Sequence, residues 1–281
     1  IQKLDSAGNF IWAKEMEGPY NFGESLSLDA YGHIFITGYF TGTTDFDPGI
    51  GIYNLTSFGA QDIFIEKLDT SGNFIWVKQI GGSYLDWGRG ITVDANGNVF
   101  TTGTFKDTVD FDPGSNIYNL PSAGYGGMFV LKLDSSGNFS WAKQLSGLSA
   151  NIGARFISHD LSGNIYVTGG FYGTLDFDPG AGIDNLTSST ATQNDIFVLK
   201  WNSIGDYVWA RRFGSVNNDL GNCIITDNQN NIYTGGYFEN TVDFDPDPGI
   251  YNLSATGDGF VLKMNQCANS ASTQTEKECI H

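Results

Sequence analysis

Basic residues are scarce in this sequence. Its 281 residues include 14 Lys and Arg against 31 Asp and Glu, so the formal net charge is −17. Such a surface repels a phosphate backbone, which excludes nucleic acid as an expected partner and leaves solubility or cation binding as uses of the charge. Long apolar runs are missing too: no stretch approaches the roughly 18 residues that a membrane span needs, so we expect no span.

Cysteine and histidine are rare, with three of each. Cys223 falls in an apolar strand pattern, which predicts a small core residue. Cys267 and Cys279 lie in the C-terminal tail, where pairing would fit an oxidising compartment. No two histidines share a metal-ligand spacing, and no Gly-x-Ser-x-Gly elbow occurs. We therefore predict no catalytic residues and a protein that is not an enzyme.

Helical periodicity is also lacking, and the composition favours strands. The sequence contains 37 Gly, 21 Phe and 13 Tyr, set among many Thr, Asn and Asp, and 40% of its residues are hydrophobic. Aromatic and β-branched residues between turn-forming residues are typical of short strands, and the chain is long enough to bury a substantial core. The expected fold class is all-β.

One motif returns four times. Asp-Phe-Asp-Pro-Gly occupies residues 45–49 and recurs at 110–114 and 176–180, and its first four residues recur at 243–246. Successive copies start 65, 66 and 67 residues apart. The chain is therefore four copies of one unit and has to be interpreted as a repeat protein.

Each unit contains four strand patterns, a to d, and Pro-Gly is placed to make the turn of an extra small hairpin between b and c. An Asp-led turn follows strand a. Strand d holds four of the six tryptophans at one position, which predicts packing between sheets. Strand a is at 26–29, 91–94, 157–160 and 224–227; b at 33–38, 98–103, 164–169 and 231–235; c at 62–68, 128–133, 195–200 and 259–263; d at 9–14, 73–78, 138–143 and 206–211.

Four-stranded sheets repeated along a chain predict a β-propeller. The last unit lacks a strand d, whereas the N-terminus supplies one. We predict that residues 1–265 form four large four-stranded blades, with N-terminal strand 8–16 completing the last blade and closing the ring. The alternative is an arc of a larger propeller. The polar tail, 266–281, is predicted to be a linker, and the start in mid-pattern suggests a piece of a longer polypeptide.

The strands resemble a known repeat. Residues 160–169 read Asp-Leu-Ser-Gly-Asn-Ile-Tyr-Val-Thr-Gly, and residues 195–200 read Asp-Ile-Phe-Val-Leu-Lys. Both resemble the bacterial β-propeller repeat family (SBBP, often described as seven-bladed), and the resemblance covers nearly all of residues 1–265. It implies a part of a large secreted or cell-surface protein. We accordingly expect an extracellular, non-enzymatic module for adhesion or spacing, with a protein or glycan as ligand.

The Asp-x-Asp pairs are candidate calcium ligands. Two aspartates on one strand point to the same face, and such charges repel unless water or a cation intervenes. Calcium takes six to eight oxygens, and strand c of three units begins with a further aspartate. The alternative is that these carboxylates cap turns, meet water, or pair with Lys67 and Lys132. The predicted metal ligands are Asp45, Asp47, Asp62, Asp110, Asp112, Asp176, Asp178, Asp195, Asp243, Asp245 and Asp258.

The loops between strands d and a are where the units differ. They carry Asn21, Asp86, Asn151 and Asp219 at related positions, and the second unit alone adds Trp87 and Arg89. An aromatic face beside a guanidinium suits a sugar ring or a carboxylate. Asp86, Trp87 and Arg89 are therefore the predicted ligand site, and the alternative is that Trp87 packs over its own loop. A carbohydrate-binding propeller is the second functional hypothesis. A glycan-cleaving enzyme is the third, and repetition of the carboxylates in every unit disfavours it.

Overall fold

The chain folds as an all-β protein, as predicted. The computed structural model describes residues 1–265, which contain 23 strands and no helix, and therefore no helix that could cross a membrane. Asp-led turns connect many of the strands. In one of them the Asp94 carboxylate accepts hydrogen bonds from the backbone N–H groups of Asn96 and Asn98, both at 2.9 Å, while Gly97 takes a φ of 79°. These aspartates are structural, as the sequence indicated.

Three sheets have four antiparallel strands in the order a, b, c, d. Sheet 1 contains β3 (Tyr20–Leu28), β4 (Ile34–Thr41), β7 (Asp62–Leu68) and β8 (Phe74–Ile80). Sheet 2 contains β9 (Trp87–Val93), β10 (Val99–Phe105), β13 (Gly127–Leu133) and β14 (Phe139–Ser146). Sheet 3 contains β15 (Asn151–His159), β16 (Ile165–Tyr172), β19 (Asp195–Trp201) and β20 (Tyr207–Phe213).

Sheet 4 has three strands, β21 (Leu220–Thr226), β22 (Ile232–Asp243) and β23 (Asn252–Met264). The small hairpins predicted around Pro-Gly are present as separate pairs in the first three units. They are β5 (Thr43–Asp45) with β6 (Asn54–Thr56), β11 (Thr108–Asp110) with β12 (Asn119–Pro121), and β17 (Thr174–Asp176) with β18 (Asn185–Thr187). In the fourth unit the long strands β22 and β23 continue into this hairpin.

The predicted closure of the ring is not present among residues 1–265. The N-terminal strand of d type, β2 (Phe10–Ala13), pairs with β1 (Gln2–Leu4) in a two-stranded N-terminal hairpin, and β23 pairs with β22 alone. The innermost strands pack in succession, β3 on β9, β9 on β15 and β15 on β21, without comparable packing of β21 on β3. The described chain is an open arc, because the N-terminus brings its own short partner for β2.

Hydrophobic side chains between successive sheets form the core. One cluster joins sheets 1 and 2 through residues such as Ile65 and Ile91, a second joins sheets 2 and 3 through Val130 and Ile157, and a third joins sheets 3 and 4. Each sheet therefore stabilises its neighbour by burying one apolar face, which is how propeller blades hold together.

The repeated tryptophans of strand d lie at these boundaries, as predicted. A Cβ added to Gly72, in the c–d turn of sheet 1, would lie 3.1 Å from the Trp12 ring. Trp76 contacts Gly137 and Trp141 contacts Gly205 in the same way. The N-terminal hairpin thus contacts sheet 1 as the outer half of a preceding blade would.

Cys223 is exposed, so the prediction that it is a core residue is wrong. It occupies the position of Gly90 in sheet 2, where the chain lies against Phe156 and Ile157 of the following sheet. No described residue follows sheet 4 to cover this position. Cys267, Cys279 and the tail 266–281 lie outside the described residues.

Candidate functional site

Asp86 is part of the loop structure and does not line the cavity that contains Trp87 and Arg89. Its side chain is buried, and its carboxylate oxygens accept hydrogen bonds from Gly82 N at 2.7 Å and Lys106 N at 3.0 Å. Burial raises its pKa to about 6, although the two backbone hydrogen bonds oppose that shift. Asp219 is buried and makes the corresponding bonds to Ser215 N and Glu239 N. Through these hydrogen bonds, both aspartates connect the d–a loop to the end of strand b.

A β-bulge interrupts the innermost strand of every sheet at the same place. In sheet 2 the pairing shifts between Gly88 and Gly90, which leaves Arg89 as the extra residue. A bulge of this kind re-aims one side chain and is common beside functional sites. The bulged residues of the four sheets are Glu24, Arg89, Arg155 and Asn222.

The glycine of the Thr-Gly motif in strand b accommodates this bulge. A Cβ on Gly103 would lie 1.8 Å from the carbonyl oxygen of Trp87, and a Cβ on Gly38 would lie 1.7 Å from that of Phe22. No other residue type fits such an approach without moving the backbone. The glycine of the Tyr-Val-Thr-Gly motif is therefore needed for the bulge to form. The bulge in turn sets the direction of the side chain at its extra residue.

The four bulged residues line a single cavity of about 760 Å³ at the centre of the arc. Its other lining residues include Trp87 and Thr104 of sheet 2 and Phe156 of sheet 3. One repeat position therefore supplies a carboxylate, two guanidiniums and an amide to one shared space. Different residues at an equivalent position are what a specific site requires of a repeat scaffold.

The predicted pair Trp87 and Arg89 does come together in this cavity. The guanidinium of Arg89 lies 4.7 Å from the Trp87 ring centroid and 5.9 Å from that of Tyr39. The Trp87 indole donates a hydrogen bond to Gln61 at 2.5 Å, which fixes the ring. Trp87 therefore forms part of the cavity wall, and its neighbours hold the ring there. It does more than pack over its own loop, which was the alternative prediction.

Positive side chains outnumber negative ones among the bulged residues of the cavity. Arg89 forms an ion pair of 2.5 Å with Glu24, and Arg155 faces the cavity with exposed surface. Partial desolvation lowers the pKa of the Arg155 guanidinium, the charge of Arg89 lowers it further, and Glu24 opposes both effects. Two of the four arginines in a chain of net charge −17 thus converge here, with one carboxylate between them.

Glu24, Arg155 and Asn222 were missed by the sequence reasoning. The sequence analysis places Asn151 at the position of Asp86, but the strand register places Ile152 there. A usable signal exists in the sequence. The offsets of 65, 66 and 67 residues that separate the Asp-Phe-Asp motifs also connect the four bulged residues in order.

The Asp-x-Asp carboxylates are used in turn hydrogen bonds. Asp45 Oδ1 accepts from Asp47 N at 3.0 Å and from Tyr53 N at 2.8 Å, and Asp47 Oδ1 accepts from Gly49 N at 2.8 Å. The other three units repeat the arrangement through Asp110, Asp112, Asp176, Asp178, Asp243 and Asp245. The intervening phenylalanines are buried.

The further aspartates of strand c do not join these pairs. Asp62 Oδ2 accepts from Phe58 N and Gln79, and Asp195 Oδ2 binds Ser189 and Arg212. Asp258 is exposed on β23. No three His, Cys, Asp or Glu side chains lie close enough to hold a metal ion within residues 1–265. The three-carboxylate arrangement is therefore wrong, while calcium binding by the pairs stays a prediction.

The predicted alternative partners of these carboxylates, Lys67 and Lys132, make a different contact. Their ammonium groups lie over the strand b rings of Phe35 and Phe100, each at 4.9 Å from the centroid. Lys200 and Lys263 repeat this over Tyr166 and Tyr233. The lysine at this position of each unit therefore makes a cation–π contact within its own sheet.

Curated relatives match parts of the chain. An uncharacterized WD repeat-containing protein of Acanthamoeba polyphaga mimivirus is 27% identical over 238 residues, which is 75% of this chain and 17% of that protein. A regulatory protein, FlaEY, of Caulobacter vibrioides is 25% identical over 165 residues, covering 57% of this chain and 16% of that protein. The chain thus spans about a sixth of the length of each of these relatives.

A solved structure and a family model also match the chain. A Bacteroides caccae protein of unknown function matches with a TM-score of 0.37 and 10% identity, covering 81% of this chain and 75% of that one. The family model described as a beta-propeller repeat matches residues 75–104 and 140–169, which in each case run from strand d through the bulged strand a to the Thr-Gly of strand b. The chain therefore carries the SBBP beta-propeller repeat at these two places, in agreement with the resemblance seen in its sequence.

Proposed function

We propose that this chain is a non-enzymatic binding module whose central cavity takes an acidic saccharide. The observation that carries the proposal is the convergence of Arg89 and Arg155 on one cavity with the Trp87 ring. Guanidinium groups recognise carboxylates through paired hydrogen bonds, and an aromatic face stacks on a sugar ring. A uronic acid unit presents both of these groups.

Electrostatics favour an anion over a neutral ligand. Arg89 and Arg155 repel each other, and Glu24 offsets only one of their charges. A ligand carboxylate near both guanidiniums removes that repulsion and competes with Glu24 for Arg89. The two arginines thus support an acidic sugar over the neutral sugar that Trp87 alone would accept.

The binding test uses isothermal titration with a galacturonic acid oligomer and, as the neutral control, a glucose oligomer of equal length. We expect the acidic oligomer alone to bind. Arg155→Ala and Arg89→Ala should each weaken binding about 10- to 100-fold, as expected for a lost charged hydrogen bond. Glu24→Gln should strengthen binding, because it removes the competing carboxylate.

Lys106→Ala is the matched control, since this cation packs on Tyr84 outside the cavity. Its affinity should equal that of the unmodified chain. Equal binding of the two oligomers, or full affinity in Arg155→Ala, would contradict the proposal. Chain lengths of the oligomers after prolonged incubation test the non-enzymatic part: shortened products would favour the glycan-cleaving alternative.

We also propose where the protein is located and that it is part of a longer polypeptide. An extracellular or cell-surface location, with this chain as one adhesive or spacer module of a longer polypeptide, is supported by the repeat type and by the much greater length of the matched relatives. A protein ligand at the same cavity is the second candidate, since an acidic peptide presents the same carboxylates. Failure of every acidic oligomer together with Arg155-dependent binding of polyglutamate would favour it.

A further inference from the structure

Gly153 of β15 occupies a repeat position that carries a large side chain in the other three sheets. Its counterparts are Phe22 in sheet 1, Trp87 in sheet 2 and Leu220 in sheet 4, and the offsets between them are the same 65, 66 and 67 residues that connect the bulged residues. Each of the four lies on the innermost strand, two residues before its bulged residue. Sheet 3 is therefore the sheet that has no side chain at this position.

The backbone does not require a glycine at residue 153. Its φ lies outside the left-handed region, and a Cβ added there would meet nothing closer than Thr104 Cγ2 at 3.6 Å, an ordinary van der Waals contact. The carbonyl oxygen of Gly153 makes the close approach to Gly169 that accompanies the bulge, but Trp87 makes the same approach to Gly103. Because Trp87 does so with a large side chain, the bulge does not explain the glycine.

The boundaries on either side are filled at this position. Between sheets 1 and 2, the Trp87 ring packs on Tyr39 of strand b, with ring centroids 5.8 Å apart. Between sheets 3 and 4, Leu220 covers Gly170 of strand b, whose added Cβ would lie 2.5 Å from Leu220 Cδ2. In both cases one large side chain fills the space between the innermost strand of a sheet and strand b of the preceding sheet.

The same space between sheets 2 and 3 is open. There, Thr104 of strand b lies opposite Gly153, and neither residue has a large side chain. Both line the central cavity of about 760 Å³, together with Ala154 and Arg155. We call the space bounded by Thr104, Gly153 and Ala154 the recess. It opens into the cavity beside Arg155, whose side chain is exposed.

The chemistry of the recess suits a sugar ring. Glycine lets a ligand approach the strand backbone closely, and the Thr104 hydroxyl can both donate to and accept from ring hydroxyls. Arg155 lies two residues along β15 from Gly153, which is about 6–7 Å on an extended strand. A ring that lies against Gly153 can therefore present a carboxylate to the Arg155 guanidinium.

We propose that Gly153 determines the specificity of the cavity, because its missing side chain makes room for the ring of the acidic sugar. This role of Gly153 rests on the function proposed above. The ring lies in the recess against Gly153 and Thr104, and its carboxylate binds Arg155. A side chain as large as that of Leu220 at residue 153 would occupy the volume of the ring, and a steric clash of this kind rejects a ligand.

Isothermal titration with the galacturonic acid oligomer tests the recess through residues taken from the other sheets. Gly153→Leu introduces the residue of sheet 4 and should weaken binding at least about 10-fold, as expected for a ligand that no longer fits its site. Gly153→Ala should weaken it less, because a methyl group there makes only an ordinary contact. Thr104→Tyr introduces, on the opposite wall, the residue that sheet 1 has as Tyr39, and it should weaken binding as much as Gly153→Leu does.

Asn151→Leu is the matched control. It adds the same side chain to β15 two residues away, where sheet 2 carries Leu85, and Asn151 does not line the cavity. Its affinity should equal that of the unmodified chain. Thermal unfolding of each variant measures whether the fold is kept, and we expect all melting temperatures to stay close to that of the unmodified chain.

Failure of the proposed function and failure of the Gly153 role give different results. If the unmodified chain binds no acidic oligomer, or if Arg155→Ala keeps full affinity, the proposed function is wrong and the role of Gly153 falls with it. If binding depends on Arg155 but stays at full strength in folded Gly153→Leu, the role of Gly153 alone is overturned. Thr104→Tyr decides in the same way should Gly153→Leu not fold. An equal loss of affinity in Asn151→Leu would also overturn it.

Discussion

At the scale of single residues, Glu66 departs most clearly from the repeat. It occupies the strand c position that Leu131, Leu199 and Leu262 take in the other sheets. Its side chain is fully buried, and neither carboxylate oxygen has a hydrogen-bond partner among residues 1–265. Burial raises its pKa to about 8, with a further increase from the charge of Asp47 and a decrease from the N-terminal ammonium group.

We predict that Glu66→Leu stabilises the fold by roughly 1–3 kcal/mol, the cost of a buried polar group that makes no hydrogen bond. The folded-state pKa lies above the unfolded value of 4.5, so the folded state binds more protons between these values. The contribution of Glu66 to stability should therefore be greatest below pH 4.5 and be lost as the pH rises through 8. Urea unfolding across that range measures both effects.

Glu66→Gln tests the charge separately from packing, and it should flatten the pH dependence without the full gain of leucine. Glu15→Leu provides the matched control at an exposed glutamate. A pH profile that stays the same in Glu66→Leu would show that this carboxyl is not the titrating group.

At the scale of an element, the Asp-Phe-Asp-Pro-Gly hairpin is a turn held by its first carboxylate. One oxygen of Asp110 accepts from Asp112 N at 3.1 Å and from Tyr118 N at 2.8 Å, which fixes the loop between residues 110 and 118. The buried Phe111 then packs on Phe105 and Phe129 at 5.1 and 5.0 Å between ring centroids. The motif therefore attaches each small hairpin to the outer part of its sheet.

We predict that Asp110→Ala destabilises the fold by about 1–3 kcal/mol, since two backbone donors lose a charged acceptor. Thermal unfolding followed by circular dichroism measures the change. Asp247→Ala is the control, because in that turn the backbone N–H of Asp247, and not its carboxylate, makes the hydrogen bond. Equal melting temperatures of the two variants would refute a structural role for Asp110.

The residues of the candidate site were only partly predictable from the sequence. Trp87 and Arg89 were predicted because they differ from the other units, and the structure brings them together. Asp86 lies outside the cavity they line, and its carboxylate accepts backbone hydrogen bonds that the sequence does not reveal. Arg155 was missed because a β-bulge adds one residue to a strand, and alternation of side chains cannot reveal which strand position faces the axis.

At the scale of the whole molecule, the net charge of −17 governs the response to cations. Self-repulsion destabilises a compact state of high charge, and any salt screens it. The predicted binding of calcium by the Asp-x-Asp pairs must therefore exceed this general effect. In each pair, oxygens that make no turn hydrogen bond remain for a cation, such as Asp45 Oδ2.

We predict that calcium chloride raises the melting temperature more than sodium chloride of equal ionic strength does, and that a chelator reverses the gain. Asp47→Asn, which removes one carboxylate and keeps a turn acceptor, should lower the calcium-specific part. Scanning calorimetry provides the measurement. Identical melting temperatures in the two salts would contradict calcium binding and would mean that the Asp-x-Asp pairs only stabilise their turns.

The sequence by itself determined the all-β class, the four units, the strands within each unit and the tryptophans packed between sheets, because local periodicity and repetition encode these features. The tertiary structure decided the rest. It showed that β2 pairs with β1 and leaves the arc open, since two segments with strand c character compete for one partner. It also gathered Glu24, Arg89, Arg155 and Asn222, which are far apart in the chain, around one cavity. Contacts between units depend on the curvature of the arc, which no single unit specifies.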